Sequence, residues 1–202
     1  MYSQNDEERI ILSYFKGRMG HFLDLGANDG ITLSNTRALS DHGWGGVLVD
    51  ASPTAHRMAT ENYCDRDDVT CLHCAVWTGD GEIILHESGS HIGREDHALL
   101  SSIYPGETEK WRPTTAFQPL TVPCLSVASL LKLCPVARFE FISIDVEGAD
   151  LDVLQQMDLT DLGCEMLVVE VNEKDEAPFI AHCEKHSLKR VHRTPENLIF
   201  AK

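Results

Sequence analysis

Three stretches of the chain place carboxylates and glycines where they could do chemistry. The first is Phe22-Leu23-Asp24-Leu25-Gly26-Ala27-Asn28-Asp29-Gly30, an apolar strand that carries an acid and runs into two glycines before a helix. Glycine at such a corner permits a tight turn and lets a ligand approach the backbone. A dinucleotide-binding fingerprint would read G-x-G-x-x-G, with a pyrophosphate on the helix N-terminus. Here the third glycine is missing and Asp24 stands beside the place a diphosphate would take, which counts against an NAD-dependent oxidoreductase. A carboxylate there suits a cation. The second stretch is Val47-Leu48-Val49-Asp50, whose acid follows Gly30 by twenty residues. That is about the interval at which an acid reaches the two hydroxyls of a ribose. Together the two stretches point to an adenosine-bearing ligand over the carboxyl ends of the strands.

The third stretch is Ile144-Asp145-Val146-Glu147-Gly148-Ala149-Asp150. With a strand's period of two, Asp145 and Glu147 share a face at the strand end. Two acids at the mouth of a crevice can hold a cation, position a hydroxyl or take its proton. Glu147 has the alternative of capping the helix that starts near Asp150. Two other groups look chemical and read otherwise. Cys71-Leu72-His73-Cys74 has C-x-x-C spacing, but on a strand Cys71 and His73 face away from Cys74, and no second C-x-x-C follows. Of ten histidines, only His91 and His97 lie in a segment whose irregularity favours chemistry.

The elements that must position these groups alternate short β-branched runs with amphipathic stretches, as in a parallel sheet with crossover helices. A first helix is expected over about 5–17, with Ser3 and Asp6 at capping-box spacing and Gly17 stopping it. Strands are expected at 21–25, 47–50, 69–76, 82–87, 120–124, 139–145, 165–171, 188–192 and 198–201. Helices are expected at 33–41, from Ser52 with Pro53 at its first position, and at 126–133, 150–157 and 177–186. Residues 88–119 break the rhythm. An irregular stretch of that length is read as a lid over the site.

These residues resemble a known family. Asp24-x-Gly26-x-x-x-Gly30 followed by Asp50 is similar to the cofactor site of class I S-adenosylmethionine-dependent methyltransferases. More narrowly, Leu25-Gly26-Ala27-Asn28-Asp29-Gly30, Ser34-Asn35-Thr36, Gly43-Trp44-x-Gly46 and Ile144-Asp145-Val146-Glu147-Gly148-Ala149-Asp150 resemble the FkbM family. Asn28 replaces the glycine of the wider superfamily, and Asp50 is one methylene shorter than the more usual Glu. The resemblance implies a Rossmann-like α/β fold with a mostly parallel seven-stranded sheet, helices on both faces and a reversed last strand. It implies S-adenosyl-L-methionine as cofactor, held by Asp24, Gly26, Ala27, Asn28, Asp29, Gly30, Asp50, Ala51, Ser52, Ala75, Val76 and Asp145. It implies methyl transfer to oxygen on a sugar, polyketide or similar acceptor. Asp145, Glu147 and His91 are the expected catalytic residues, and the Ser101-Ser102 pair matches a serine patch in the family's corresponding loop. A divalent metal on Asp145, Glu170 and Asn172 is the less favoured route to deprotonating the acceptor.

Composition sets the remaining bounds. The 202 residues fit one domain, and 43% hydrophobic content supports a full core. Seventeen Lys and Arg against 32 Asp and Glu give a formal charge of −15, which repels nucleic-acid backbones and anionic lipid. No apolar run reaches the roughly 18 residues of a membrane span. Asp6, Glu7 and Glu8 stand where a secretory signal needs positive charge. Seven scattered cysteines do not form a disulfide framework, so a reducing cytosol is expected. The expected partner is a small-molecule or glycan acceptor. The alternatives are a methyltransferase acting on nitrogen or a nucleic-acid group, or a silent adenosine-binding scaffold.

Overall fold

The computed structural model describes residues 1–90, 97–172 and 174–202. Its elements in chain order are α1 (Glu7–Phe15), β1 (His21–Leu25), α2 (Arg37–Asp41), β2 (Gly45–Asp50), α3 (Pro53–Asn62), β3 (Val69–His73), β4 (Ala75–Val76) and β5 (Gly81–Ser88). They continue with α4 (Pro105–Glu109), β6 (Phe117–Leu125), α5 (Val127–Leu131), β7 (Phe141–Ile144), α6 (Asp150–Leu154), β8 (Met166–Glu170), α7 (Ala177–Lys185), β9 (Lys189–Arg193) and β10 (Asn197–Ala201).

Seven strands form one sheet in the order β3-β2-β1-β7-β8-β10-β9. The pairs from β3 to β8 are parallel, and β10 is antiparallel to both neighbours. The chain reverses its strand order between β1 and β7, so the loops after those strands splay apart and open a crevice. The period-two alternation of apolar residues serves two cores. Leu23, Leu25, Val49, Ile142 and Val169 pack against α5, α6 and α7. Phe22, Leu48, Phe141 and Val168 pack against α1, α2 and α3. Helices therefore cover both faces. Among the described residues no helix is long and apolar enough to cross a membrane.

Several boundaries differ from expectation. Residues 69–76 are two strands. At Cys74 the amide donates to the Asp50 carbonyl, and pairing with β2 stops. Ala75 and Val76 then pair with Cys124 and Leu125 of β6, in a separate sheet ordered β4-β6-β5. The helix expected from Leu33 starts at Arg37, because Leu33 has φ 55° and bridges Ser3. Ser3 makes no capping box with Asp6; its hydroxyl accepts from the Glu8 amide. The irregular segment contains α4, and its end belongs to β6.

Glu7 is fully buried at the head of α1. Its carboxylate accepts from the Asn197 side chain at 3.0 Å and from the Asn5 amide at 2.8 Å. Burial pushes its pKa up, but these hydrogen bonds outweigh burial and hold it below the usual value. The first helix and the last strand are thereby tied together.

Candidate active site

The crevice is a cavity of about 390 Å³ over the carboxyl ends of β1, β2, β7 and β8, within the usual size range for small-molecule sites. Asp24, Gly26, Ala27, Asn28, Asp50, Ala51, Ala75, Val76, Asp145 and Glu147 all face it. Asp29, Gly30 and Ser52 stand behind its wall and shape it. Asp29 accepts from the Ile31 and Thr32 amides and the Thr32 hydroxyl, which fixes the loop. Gly30 lies under the Tyr63 ring, where a Cβ would come within 2.6 Å. The Ser52 hydroxyl caps α3 through the Thr54 and Ala55 amides.

Gly26 is the hinge between the strands. It has φ 81°, and a Cβ there would lie 1.6 Å from the Asp145 carbonyl oxygen. Asn28 occupies the left-handed region at φ 49°, a conformation asparagine tolerates without being glycine. Its side chain also gains a bond that glycine could not make, donating to the His97 carbonyl at 2.9 Å. The turn after β1 is thus fastened to the irregular segment at His97.

At one end of the cavity, Asp50 accepts from the Asn28 amide on one oxygen and the Ser52 amide on the other, both at 2.8 Å. Each oxygen keeps a lone pair for a ligand. Burial raises the Asp50 pKa to about 6 against those two bonds. Val49, Ala51, Ala75, Val76 and Leu85 supply an apolar slot beside it. Asp24 is buried between β1 neighbours and accepts from the Thr36 hydroxyl at 2.6 Å. Burial raises its pKa to about 6 as well.

At the other end the acids crowd. Glu170 at the end of β8 is 7% exposed, and Asn172 donates to its Oε1 at 2.6 Å. Its Oε2 is buried with no hydrogen-bond partner among the described residues. Burial, then the Asp145 charge, raises its pKa to about 9. Burial pushes Asp145 and Glu147 well above the carboxylate range, with the neighbouring acids acting in the same direction. Among the described residues one set of three carboxylates could meet around an ion: Asp145, Asp150 and Glu170, with oxygens within 4.8 Å of one another. Asp145 and Glu170 are shared with the set expected from the sequence, whose third member was Asn172. Asn172 turns its amide nitrogen to Glu170. Asp150 is committed to the Val146 and Gly148 amides and to the Lys174 ammonium at 2.9 Å. Lys174 supplies the cluster's positive charge, and nothing in the residue spacing announced it.

Residues of the irregular segment border this end. Leu99, Leu100, Ile103, Lys110 and Trp111 line the cavity. The Ser102 hydroxyl donates to the Glu147 carbonyl and accepts from the Tyr104 amide, and the Ser101 hydroxyl accepts from the Ser88 amide. The serine pair therefore ties this segment to β5 and to the turn after β7. The expected catalytic His91 lies outside the described residues. Gln4 and Glu196 also reach the cavity, Glu196 held by the Asn5 side chain at 2.7 Å. They come from opposite ends of the sequence, so only the fold brings them to one cavity.

The donor set fits S-adenosylmethionine. Asp50 would meet the ribose hydroxyls, the apolar slot beside it would take the purine, and the acids at the opposite end would attract a cationic sulfonium and ammonium.

A model of the methyltransferase FkbM domain matches residues 24–190. No curated protein matches the sequence. The methyltransferase FkbM from Methylobacillus flagellatus superposes with a TM-score of 0.58 at 11% identity, over 92% of this chain and 44% of that one. The METTL16 methyltransferase domain gives 0.52 at 11% identity, over 96% and 63%. A putative RNA methyltransferase from Pyrococcus horikoshii gives 0.50 at 12% identity, over 98% and 80%. At these identities the likeness is one of fold, and the chain spans less than half the length of the first protein. The family match runs from Asp24 on β1 into β9, and it takes in the Gly26–Gly30 turn, Asp50, the irregular segment and both acids of the Asp145–Glu147 turn. The chain belongs to the FkbM family of S-adenosylmethionine-dependent methyltransferases.

Proposed function

We propose that the protein methylates oxygen, taking the methyl group of S-adenosylmethionine to a hydroxyl on a small molecule, sugar or glycan. One observation carries this: the same cavity has Asp50 beside an apolar slot at one end and a crowd of buried carboxylates at the other. The cofactor supplies an already activated methyl on a sulfonium, so placement and proton removal are what remain. Asp50 and the backbone around Gly26 hold and orient the cofactor. Lid residues Ile103 and Trp111 exclude water and press the acceptor towards it. A hydroxyl also needs a group to take its proton, and an acid at the Asp145 end would do so in its ionised form. A cavity this small, in a chain of charge −15, favours a compact acceptor over a nucleic acid. All seven cysteines are free thiols, which fits a reducing cytosol.

The test follows label from the methyl of S-adenosylmethionine into an extract of hydroxylated metabolites and glycans, with mass spectrometry locating the new methyl. A methyl ether supports the proposal. Label confined to amines, RNA or protein overturns the oxygen assignment. Stabilisation by NAD rather than S-adenosylhomocysteine in a thermal-shift comparison would overturn the cofactor.

A further inference from the structure

We infer that the cavity between Gln4, Asn172 and Glu196 is an acceptor subsite, selective for a molecule with several hydroxyls and no acidic group. The inference rests on the oxygen-methylation reading above and adds what the acceptor must look like.

The cavity is longer than its cofactor end. From Asp50 it crosses β2, β1, β7 and β8 to the turn before β10. With neighbouring strands about 4.8 Å apart, that is a run of about 19 Å. A ligand whose ribose lies at Asp50, with its reactive end over β1 and β7, leaves the stretch over β8 and β10 to a second molecule.

That stretch is held in shape by the protein itself. The Val171 and Asn172 amides donate to the Glu196 carbonyl at 2.8 and 2.9 Å, which seats Glu196 beside the end of β8. The Asn5 side chain donates to one Glu196 carboxylate oxygen at 2.7 Å and to Glu7 at 3.2 Å, while Glu7 accepts from Asn197. These bonds fix the backbone that carries Gln4. Three groups that line the cavity here keep polar atoms uncommitted. Among the described residues the Gln4 side-chain amide, the second Glu196 carboxylate oxygen and the Asn172 side-chain oxygen have no hydrogen-bond partner. Carboxylate and amide oxygens accept hydrogen bonds and cannot donate them. A molecule bound by this set must therefore offer several O–H groups. Trp111 adds an apolar ring at the same end, beside the Lys110 that interacts with Glu147 and Glu170. An aromatic wall with a few fixed polar groups is what orients a small ligand.

Charge supplies the selectivity. Lys110 is the one cationic side chain among the described residues lining the cavity, and it is paired with Glu107 at 2.8 Å. Lys174 is taken by Asp150, and Arg193 by Glu176 and the Asn172 carbonyl. Asp145, Glu147, Glu170 and Glu196 all line this part of the cavity. A phosphate or carboxylate on the acceptor would meet acids here and no uncommitted cation, and like charges brought together out of water repel strongly.

Saturation-transfer NMR on the protein loaded with S-adenosylhomocysteine reads weak binding without turnover. The probes are the methyl glycosides of glucose, galactose, mannose and rhamnose, with the methyl glycoside of glucuronic acid and glucose 6-phosphate as anionic counterparts. The neutral glycosides should take up signal, and the anionic pair should bind at least about tenfold more weakly. Glu196→Ala should weaken the neutral glycosides about tenfold while S-adenosylhomocysteine affinity holds, which separates this subsite from the cofactor end. Gln4→Lys changes an exposed side chain that has no partner to lose, so it tests the same point should Glu196→Ala fail to fold. It should admit the glucuronic acid glycoside. Absence of transfer to every neutral glycoside overturns the inference. Anionic probes binding as well as neutral ones do the same, and so does a Gln4→Lys protein with unchanged selectivity. Failure of the unaltered protein to bind S-adenosylhomocysteine would instead sink the cofactor reading.

Discussion

The two ends of the cavity are both acidic, but their acids are held in opposite ways. Asp50 has a backbone amide on each oxygen and one apolar wall beside it. Glu170 has a side-chain amide on one oxygen, nothing described on the other, and three acids nearby. Amides fixed by the fold make an acid into a constant handle. Crowding and a bare oxygen make an acid responsive, because its charge depends on what arrives. A handle suits the part of a ligand that stays bound, and a responsive acid suits the part that reacts.

Gly26 joins the two ends, so replacing it should have the largest effect. Gly26→Ala puts a Cβ into the Asp145 carbonyl at a positive φ. The combined clash and strain should cost about 3 kcal/mol or more. Thermal unfolding should shift down by roughly 6–12 °C, and an unshifted melting point would mean that the ends are not rigidly coupled.

The handle is broken selectively by Asp50→Ala, which removes a charge-assisted bond worth about 1.5–3 kcal/mol. Calorimetric affinity for S-adenosylhomocysteine should fall about tenfold or more. An unchanged affinity would remove Asp50 from the ribose assignment.

Acid pH should separate fold from ligand. Asp24 and Asp50 are raised to about 6 in the folded chain, above their ordinary value. Their contribution to stability is full below the unfolded carboxylate range and is lost as pH rises through about 6. The empty protein should therefore gain stability from these two groups as pH falls from 7 to 5. Ligand affinity should move the other way, falling about tenfold at one pH unit below the Asp50 pKa as its ionised form is depleted. Parallel pH profiles of melting temperature and affinity would contradict this assignment.

The smallest effect is expected at the lid anchor. Ser102→Ala removes the links to Glu147 and Tyr104, a local cost of about 1–3 kcal/mol. Faster hydrogen exchange at Ile103 and Tyr104, with S-adenosylhomocysteine affinity nearly unchanged, is the expected result. Because Asn28 is bonded to His97, cutting out the lid as a whole should disturb the cofactor turn too.

That Asp24, Gly26, Asn28 and Asp50 meet at one cavity was legible in the sequence because these groups are local. Asp24, Gly26 and Asn28 sit on one turn, and Asp50 ends the adjacent strand. The sheet was legible for the same reason, through alternating apolar residues. What the sequence hid depends on long-range pairing. Periodicity marked 69–76 as extended but could not say that Cys74 is where the chain changes sheets. The stretch from Leu33 looked helical, whereas Leu33 bridges Ser3 and lies outside helical geometry. Asp145 and Glu147 were visible as neighbours in sequence. The commitment of Asp150 to Lys174 required the fold, since twenty-four residues separate them.

The tie between Glu7 and Asn197 has a consequence for how the protein is made. Translation delivers these partners 190 residues apart, which at ordinary elongation rates is roughly 10–40 s. Through that interval the nascent Glu7 has no Asn197 to receive, and the Gln4 and Glu196 walls of the cavity cannot be brought together. Asp24 and Asp50 emerge early, so the ribosome-bound chain owns the handle long before it owns the enclosure. Competence to bind should thus arrive as a late, single event in the life of each molecule.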